Sequence, residues 1–232
     1  MSTNSRIRTF FYGHYYSKYP VDYNRIVQNW IRDVDDKAYP ILIDVLGFEP
    51  EINQYIVEFR DFDIAGFYAG IRNVDGISGG YIGLHRNLLD NLREYPKNLE
   101  GGLVYETIHG FLQPLKFRPD WRNVTILNTD ESFDIIFEVE FDERIGLDDF
   151  INQLYNRHYH RSSATSGYIY FSLLWDIREK FGWDPIQRFF KLLKNSDIPL
   201  VIEGDVNEFY NIINSLIDAD IQPFFKKHGF LL

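Results

Sequence analysis

The chain has 232 residues, a formal net charge of -10 and no cysteine, which excludes disulfides and thiolate metal sites and leaves too little clustered basic charge for nucleic-acid binding. Its 45% hydrophobic content, with 20 Phe, 16 Tyr and 4 Trp, suffices for one substantial core or two small packed lobes. The apolar runs fall short of the roughly 18 residues of a membrane span, and Met1-Ser2-Thr3-Asn4-Ser5-Arg6 has no signal-peptide core, so a cytoplasmic protein without a membrane partner is expected.

Arg6 to Tyr16 is dense in aromatics and Thr and predicts an opening strand. From Val21 to Leu46, apolar residues at Ile26, Trp30, Val34, Ala38, Ile41 and Leu46 follow helical spacing. Pro40 should kink or divide this helix, and Gly47 should cap its C-terminus. Strands are predicted over Ile52 to Phe59, Gly66 to Ile71 and Tyr81 to His85, with the turn-forming stretch Asn73 to Gly80 as the loop between the last two. Leu88 to Tyr95 reads as a short helix.

A helix beginning near Asn98 or Leu99 then carries Tyr105-Glu106-Thr107-Ile108-His109, which places Tyr105 and His109 one turn apart with Glu106 beside them. After Pro114 comes a loop through Arg118-Pro119-Asp120-Trp121, then helix-like runs at Asp130 to Phe141 and Leu147 to Tyr155. Ser163 to Phe181 repeats Ile169, Leu173, Leu174, Ile177 and Phe181 on one side. Asp184-Pro185, Asp205 and Asp220 mark the starts of three further helices. Strands precede helices, which indicates an α+β chain with a mixed sheet, divided into an N-terminal lobe at 1–114 and a helical lobe at 115–232.

In His-Glu-x-x-His, two imidazoles one turn apart hold zinc and the Glu takes a proton from the metal-bound water. Here Tyr105 stands at the first position, with Glu106 and His109 at the others. Some twenty residues on, Glu131 opens the helix-like run Asp130-Glu131-Ser132-Phe133, with Asp134 and Glu138 further along it as alternative acids. Glu106 and His109 also fit an ordinary solvated helix, and the three acids an exposed acidic one. These pieces, together with Tyr81-Ile82-Gly83-Leu84, Leu174-Trp175-Asp176 through Lys180-Phe181-Gly182-Trp183-Asp184-Pro185, and Asp220-Ile221-Gln222-Pro223-Phe224-Phe225-Lys226-Lys227-His228-Gly229, resemble the gluzincin clan of zinc metallopeptidases, in its enhancin-like and mucin-degrading branch.

The resemblance runs from about Asp35 to the end. It implies a zincin-like fold, zinc held by His109, Glu131 and Tyr105, Glu106 as general base, and an edge strand in which Tyr81, Gly83 and Leu84 bind the backbone of a peptide or protein substrate. It also implies a tyrosine three positions before a glycine in a later helix; the similar place reads Ala164-Thr165-Ser166-Gly167, which leaves Tyr168 or Tyr170 to serve instead. A phenol near pKa 10 must lose its proton to bind metal well. His158 and His160, alternate residues of an extended segment, are candidate substitute ligands, as is His85.

Three functions follow: a zinc metallopeptidase; a peptidase-fold protein that only binds peptides in a groove lined by Tyr81, Phe111 and Trp121; and an oxygen-rich iron or manganese enzyme. His14 and His228 have no ligand spacing. Asp35-Asp36 and Asp148-Asp149 read as helix ends, and Gly79-Gly80 and Gly101-Gly102 as turns. Oligomeric state leaves no mark in the sequence.

Overall fold

The computed structural model describes residues 6–94, 100–116, 130–159, 169–195, 206–230 and 232. The fold is α+β and divides into two compact units, Met1–Ile43 with Glu49–Gln113, and Asp44–Phe48 with Pro114–Leu232. Among the described residues no helix is long and apolar enough to cross a membrane.

The first unit is built on a five-stranded mixed sheet in the order β1-β2-β3-β5-β4. Its strands are β1 (Ile7–Tyr12), β2 (Tyr15–Pro20), β3 (Tyr55–Arg60), β4 (Gly66–Val74) and β5 (Ile77–His85). β1 and β2, and β4 and β5, are antiparallel hairpins, while β2, β3 and β5 run parallel. A parallel neighbour requires a crossover, and α1 (Asn24–Asp33) and α2 (Tyr39–Leu46) lie between β2 and β3 in the chain.

The opening segment is a hairpin rather than a single strand, because Gly13 turns the chain with φ +49. A Cβ there would lie 1.7 Å from Asp35 Oδ2. The same carboxylate accepts from His14 N–H at 2.9 Å and bonds His14 Nδ1 at 2.8 Å, and Tyr12 donates to Asp36 at 3.0 Å. Asp35 and Asp36 sit in a π-helical turn, Val34–Ala38, between α1 and α2. The division expected at Pro40 is therefore a widened turn just upstream of it, where the missing proline N–H costs least. Gly47 adopts φ +74 after α2, as a C-cap should.

The stretch expected to be a long loop before Tyr81 is instead a two-residue turn. Asp75 and Gly76 have φ +54 and +84, which suits the twist of a tight hairpin, and Gly79 and Gly80 belong to β5. Both glycines are required by packing: a Cβ at Gly79 would meet Gln54 O at 2.5 Å, and one at Gly80 the Tyr68 ring at 2.9 Å. One sheet face carries Tyr15, Tyr55 and Ile82 and packs on the helices through Tyr39 and Phe111. On the other, Tyr16, Ile56 and Tyr81 gather with Phe67, Ala69, Val74 and Ile77. α3 (Leu88–Glu94) and α4 (Glu100–Lys116) complete the unit, and α4 runs through Gly101-Gly102 and Pro114, where a turn and a helix end were expected.

The second unit is helical, with α5 (Asp130–Ile145), α6 (Asp148–His158), α7 (Ile169–Phe181), α8 (Asp184–Asn195), α9 (Val206–Ser215) and α10 (Gln222–Lys227). α5 is its centre: Ser132 to Asp142 are all buried. Phe133, Phe137 and Phe141, one turn apart, place Phe133 and Phe137 against Phe190 at 5.2 and 4.7 Å. Phe209 and Phe225 extend the aromatic core. Trp183 is half-buried and donates to Val45 O at 2.8 Å.

Candidate functional site

α4 is fixed to the sheet by small and hydroxyl residues on its inner side. Tyr15 OH meets Thr107 Oγ1 at 3.2 Å, and that hydroxyl donates to Leu103 O at 2.8 Å. Gly110 permits the close approach, since a Cβ there would stand 2.6 Å from the Tyr55 ring and 3.1 Å from Tyr68. Leu103, Val104, Thr107, Ile108 and Phe111 are buried. Gly102, Tyr105 and His109 line the more exposed side. Helical spacing thus places Tyr105 and His109 together, and their rings meet edge to face at 4.7 Å and 83°.

Glu106 is turned toward the sheet and is buried. A Cβ on Gly66, the first residue of β4, would lie 3.0 Å from Glu106 Oε1 and 3.2 Å from Leu84. β4 ends the sheet on this side. The bond from His85 N–H to Ala65 O at 2.8 Å fixes which residues of β4 face β5. Because antiparallel pairs alternate, Gly66 and Tyr68 turn their own N–H and C=O to the open edge. Beyond Tyr68 a bulge interrupts the pairing, with Gly70 at φ +70. The open edge beside Glu106 is therefore short.

This arrangement corrects the strand expected to hold substrate. β5 pairs with β3 on one side and β4 on the other, so Tyr81, Gly83 and Leu84 offer no free edge. Tyr81 and Gly83 also face away from α4: Tyr81 donates to Glu58 at 2.6 Å, and a Cβ on Gly83 would strike Phe67. Phe111 packs on Tyr55 across the opposite face. Tyr81 and Phe111 therefore cannot line one groove, and Trp121 lies outside the described residues. Among Tyr81, Gly83 and Leu84, it is Leu84 that shares Gly66 as a neighbour with Glu106. The residue that sequence reasoning missed is Gly66; its signal was a glycine opening a strand, where only close approach favours it.

The candidate substitute ligands fare unequally. His85 Nδ1 accepts from Asn87 N–H at 3.0 Å, so in the neutral ring the proton sits on the other nitrogen and the lone pair is occupied. His158 ends α6 rather than lying in an extended segment, and is buried with its ring 6.0 Å from Phe171. The alternation that paired it with His160 does not apply, and His160 lies outside the described residues. Glu131 belongs to α5 in the second unit with its side chain outside the described set. Asp134 and Glu138 are buried, not exposed acids. Tyr168 and the stretch 164–167 are also outside the described residues, and Tyr170 packs on Phe209 at 5.4 Å.

α4 brings together one imidazole, one phenol and the buried Glu106 carboxylate, and a zinc site takes three or four ligands on one point. Among the described residues no three His, Asp or Glu side chains group as a metal requires. Two histidines without ligand spacing are structural. His14 stacks on Tyr39 at 3.8 Å beside Asp35. His228 meets Asp176 at 2.8 Å, with Tyr159 and Lys227 on the same carboxylate. Burial opposes ionisation of Asp176, but the hydrogen bonds from Lys227, Tyr159 and His228 hold its carboxyl below the usual range. Burial pushes Tyr68 up to about 12, and Tyr81 likewise with help from Glu58. No family model, no curated protein and no solved structure matches the chain.

Proposed function

We propose that this chain is a peptidase-like protein that holds an extended peptide along the open edge of β4, beside the Tyr105–Glu106–His109 side of α4. The observation that carries this reading is the close approach of Gly66 to the Glu106 carboxylate at a place where β4 turns N–H and C=O groups to its open edge. Main-chain hydrogen bonds to a sheet edge supply affinity for an extended segment without regard to its sequence. The resemblance to gluzincins, with Tyr105 at the first ligand position, supports a scaffold that keeps peptide capture while its metal chemistry is altered. The test is titration of the protein with fluorescent unstructured peptides. Gly66→Pro removes an outward N–H and adds a Cβ beside Glu106, so it should abolish binding at a cost of about 1 kcal/mol or more in stability; undiminished binding by a folded Gly66→Pro protein would overturn the reading.

Zinc-dependent peptide-bond hydrolysis is the second reading, favoured by a buried carboxylate placed beside that edge. Glu106 would serve as general base and His109 as a metal ligand, with Tyr105 as its deprotonated neighbour. It requires close to one equivalent of zinc in purified protein, lost in His109→Ala, and peptide cleavage lost in Glu106→Gln. Cleavage that survives Glu106→Gln would rule it out.

A further inference from the structure

The other end of the sheet has a different character. β1 is its outermost strand, and it lacks the bulge that interrupts β4 and any proline or lysine that would discourage pairing. Two of its side chains, Ile7 and Phe11, are 57% and 52% exposed. Both lie on the sheet face opposite α1, since Phe10 and Tyr12 of the alternate set stack beneath Arg32 of that helix at 5.2 and 5.7 Å.

The hydrogen-bond parity of β1 is fixed by its partner. Val21 N–H donates to Arg6 O at 2.8 Å, so the even residues of β1 exchange bonds with β2 and the odd ones do not. Pro20 stands opposite Ile7, a position where the ladder asks for no donor, in agreement. Ile7, Thr9 and Phe11 therefore turn their N–H and C=O groups to the open edge.

We infer that β1 pairs antiparallel with β1 of a second copy of this chain, about a two-fold axis at Thr9. That register joins odd residues to odd residues, as the outward peptide groups require. Thr9 exchanges both backbone bonds with its own mate, and Ile7 does so with Phe11. The two exposed apolar side chains then cover each other across the axis as a β-branched and aromatic cross-strand pair. Charge follows the same direction. Arg6 lies at one end of the strand, and Asp36, held by Tyr12, lies at the other; antiparallel pairing brings Arg6 opposite Tyr12 of the mate and beside that carboxylate, while Arg8 falls opposite Phe10 of the mate. A parallel pairing would set like ends together. The two five-stranded sheets become continuous, and the contact is isologous and closes.

The experiment is sedimentation equilibrium across a dilution series, combined with engineered cysteines, for which the chain offers no background. A species of twice 27.6 kDa is expected. Thr9→Pro deletes an outward N–H that β2 does not use, and Phe11→Lys places a charge on the covered face. Each should shift the protein to monomer with an unchanged circular dichroism spectrum, and Phe11→Lys serves should Thr9→Pro fold poorly. Under mild oxidation Thr9→Cys should cross-link to its mate, because directly opposed Cα atoms in such a pair lie about 5.5 Å apart. Ile7→Cys, facing Phe11, should not. A monomer at every concentration, a dimer indifferent to Phe11→Lys, or cross-linking by Ile7→Cys in preference to Thr9→Cys would overturn the inference.

Discussion

Gly66 and the Glu106 carboxylate touch so closely that a methyl group on Gly66 would lie 3.0 Å from Oε1. The absence of a side chain at the start of an edge strand is what lets a buried acid on α4 sit directly beneath it. The helix and the strand edge are joined by this one position, which makes it the natural place to perturb the site without touching its ionisable groups.

Gly66→Ala should therefore displace Glu106 or Leu84 by a few tenths of an ångström. A loss of about 1 kcal/mol in urea unfolding is expected, together with weaker peptide binding. Stability and binding both equal to wild type would show that the carboxylate is not confined as described.

Gly110→Ala separates two opposing effects. Helix propensity alone would favour alanine by about 1 kcal/mol. The added Cβ would meet Tyr55 at 2.6 Å and Tyr68 at 3.1 Å, and the Tyr55 ring is fully buried. Overpacking of this kind costs roughly 1–3 kcal/mol, so net destabilisation is expected in thermal or denaturant unfolding. A stabilised variant would mean that α4 stands off from the sheet.

Asp142 is fully buried on α5, and neither of its carboxylate oxygens has a partner among the described residues. Burial raises its pKa to about 7. The unfolded chain releases this proton near pH 4, so between about pH 4 and pH 7 the folded protein binds more protons than the unfolded one. Stability from this group is complete below that window and falls as pH rises through it. Asp142→Asn removes the dependence. Relative to wild type, the variant should gain on the order of 2–4 kcal/mol between pH 5 and pH 8, read from paired urea titrations. A constant difference across that range would place a compensating cation beside Asp142.

Asp176 behaves in the opposite sense. Its carboxyl is held below the usual range by Lys227, Tyr159 and His228, so the stability it contributes is present above the ordinary carboxylate pKa and is lost as pH falls through the depressed one. Asp176→Asn should cost about 1–2 kcal/mol at pH 7 and loosen α10, visible as faster amide exchange over residues 222–227. Unchanged exchange there would show that the aromatic contacts of Phe225 hold α10 without it.

Local chemistry was legible in the sequence, and long-range order was not. The helical repeat placed Tyr105 and His109 on one side of α4 because that relation depends on residues four apart and nothing else. Gly47 and Asp220 announced a helix end and a helix start for the same reason; Asp220 accepts from Gln222 N–H at 2.9 Å. The edge strand was misassigned because strand order is set by partners far away in the chain: β3 inserts between β2 and β5, and β4 folds back outside β5. Once β5 is interior, Tyr81 is carried to the face away from α4 by alternation alone. The acids of α5 misled for a related reason, since their spacing suits a solvated helix equally well and only the surrounding helices bury them. The contribution of Asp35 and Asp36 to the first hairpin was hidden in the same way, being a contact across more than twenty positions.

The widened turn at Val34–Ala38 has a consequence for insertions and deletions. A π-helical turn carries one residue more than the α-helical path through nearly the same rotation, so α1 and α2 keep their phase while one extra side chain is accommodated between them. Deleting a single amino acid from 34–38 would give an uninterrupted α-helix with α1 and α2 almost unrotated. Asp35 and Asp36, which clasp the first hairpin from the widened turn, would lose the backbone that presents them. The surplus residue therefore serves the N-terminal hairpin, not the packing of the two helices.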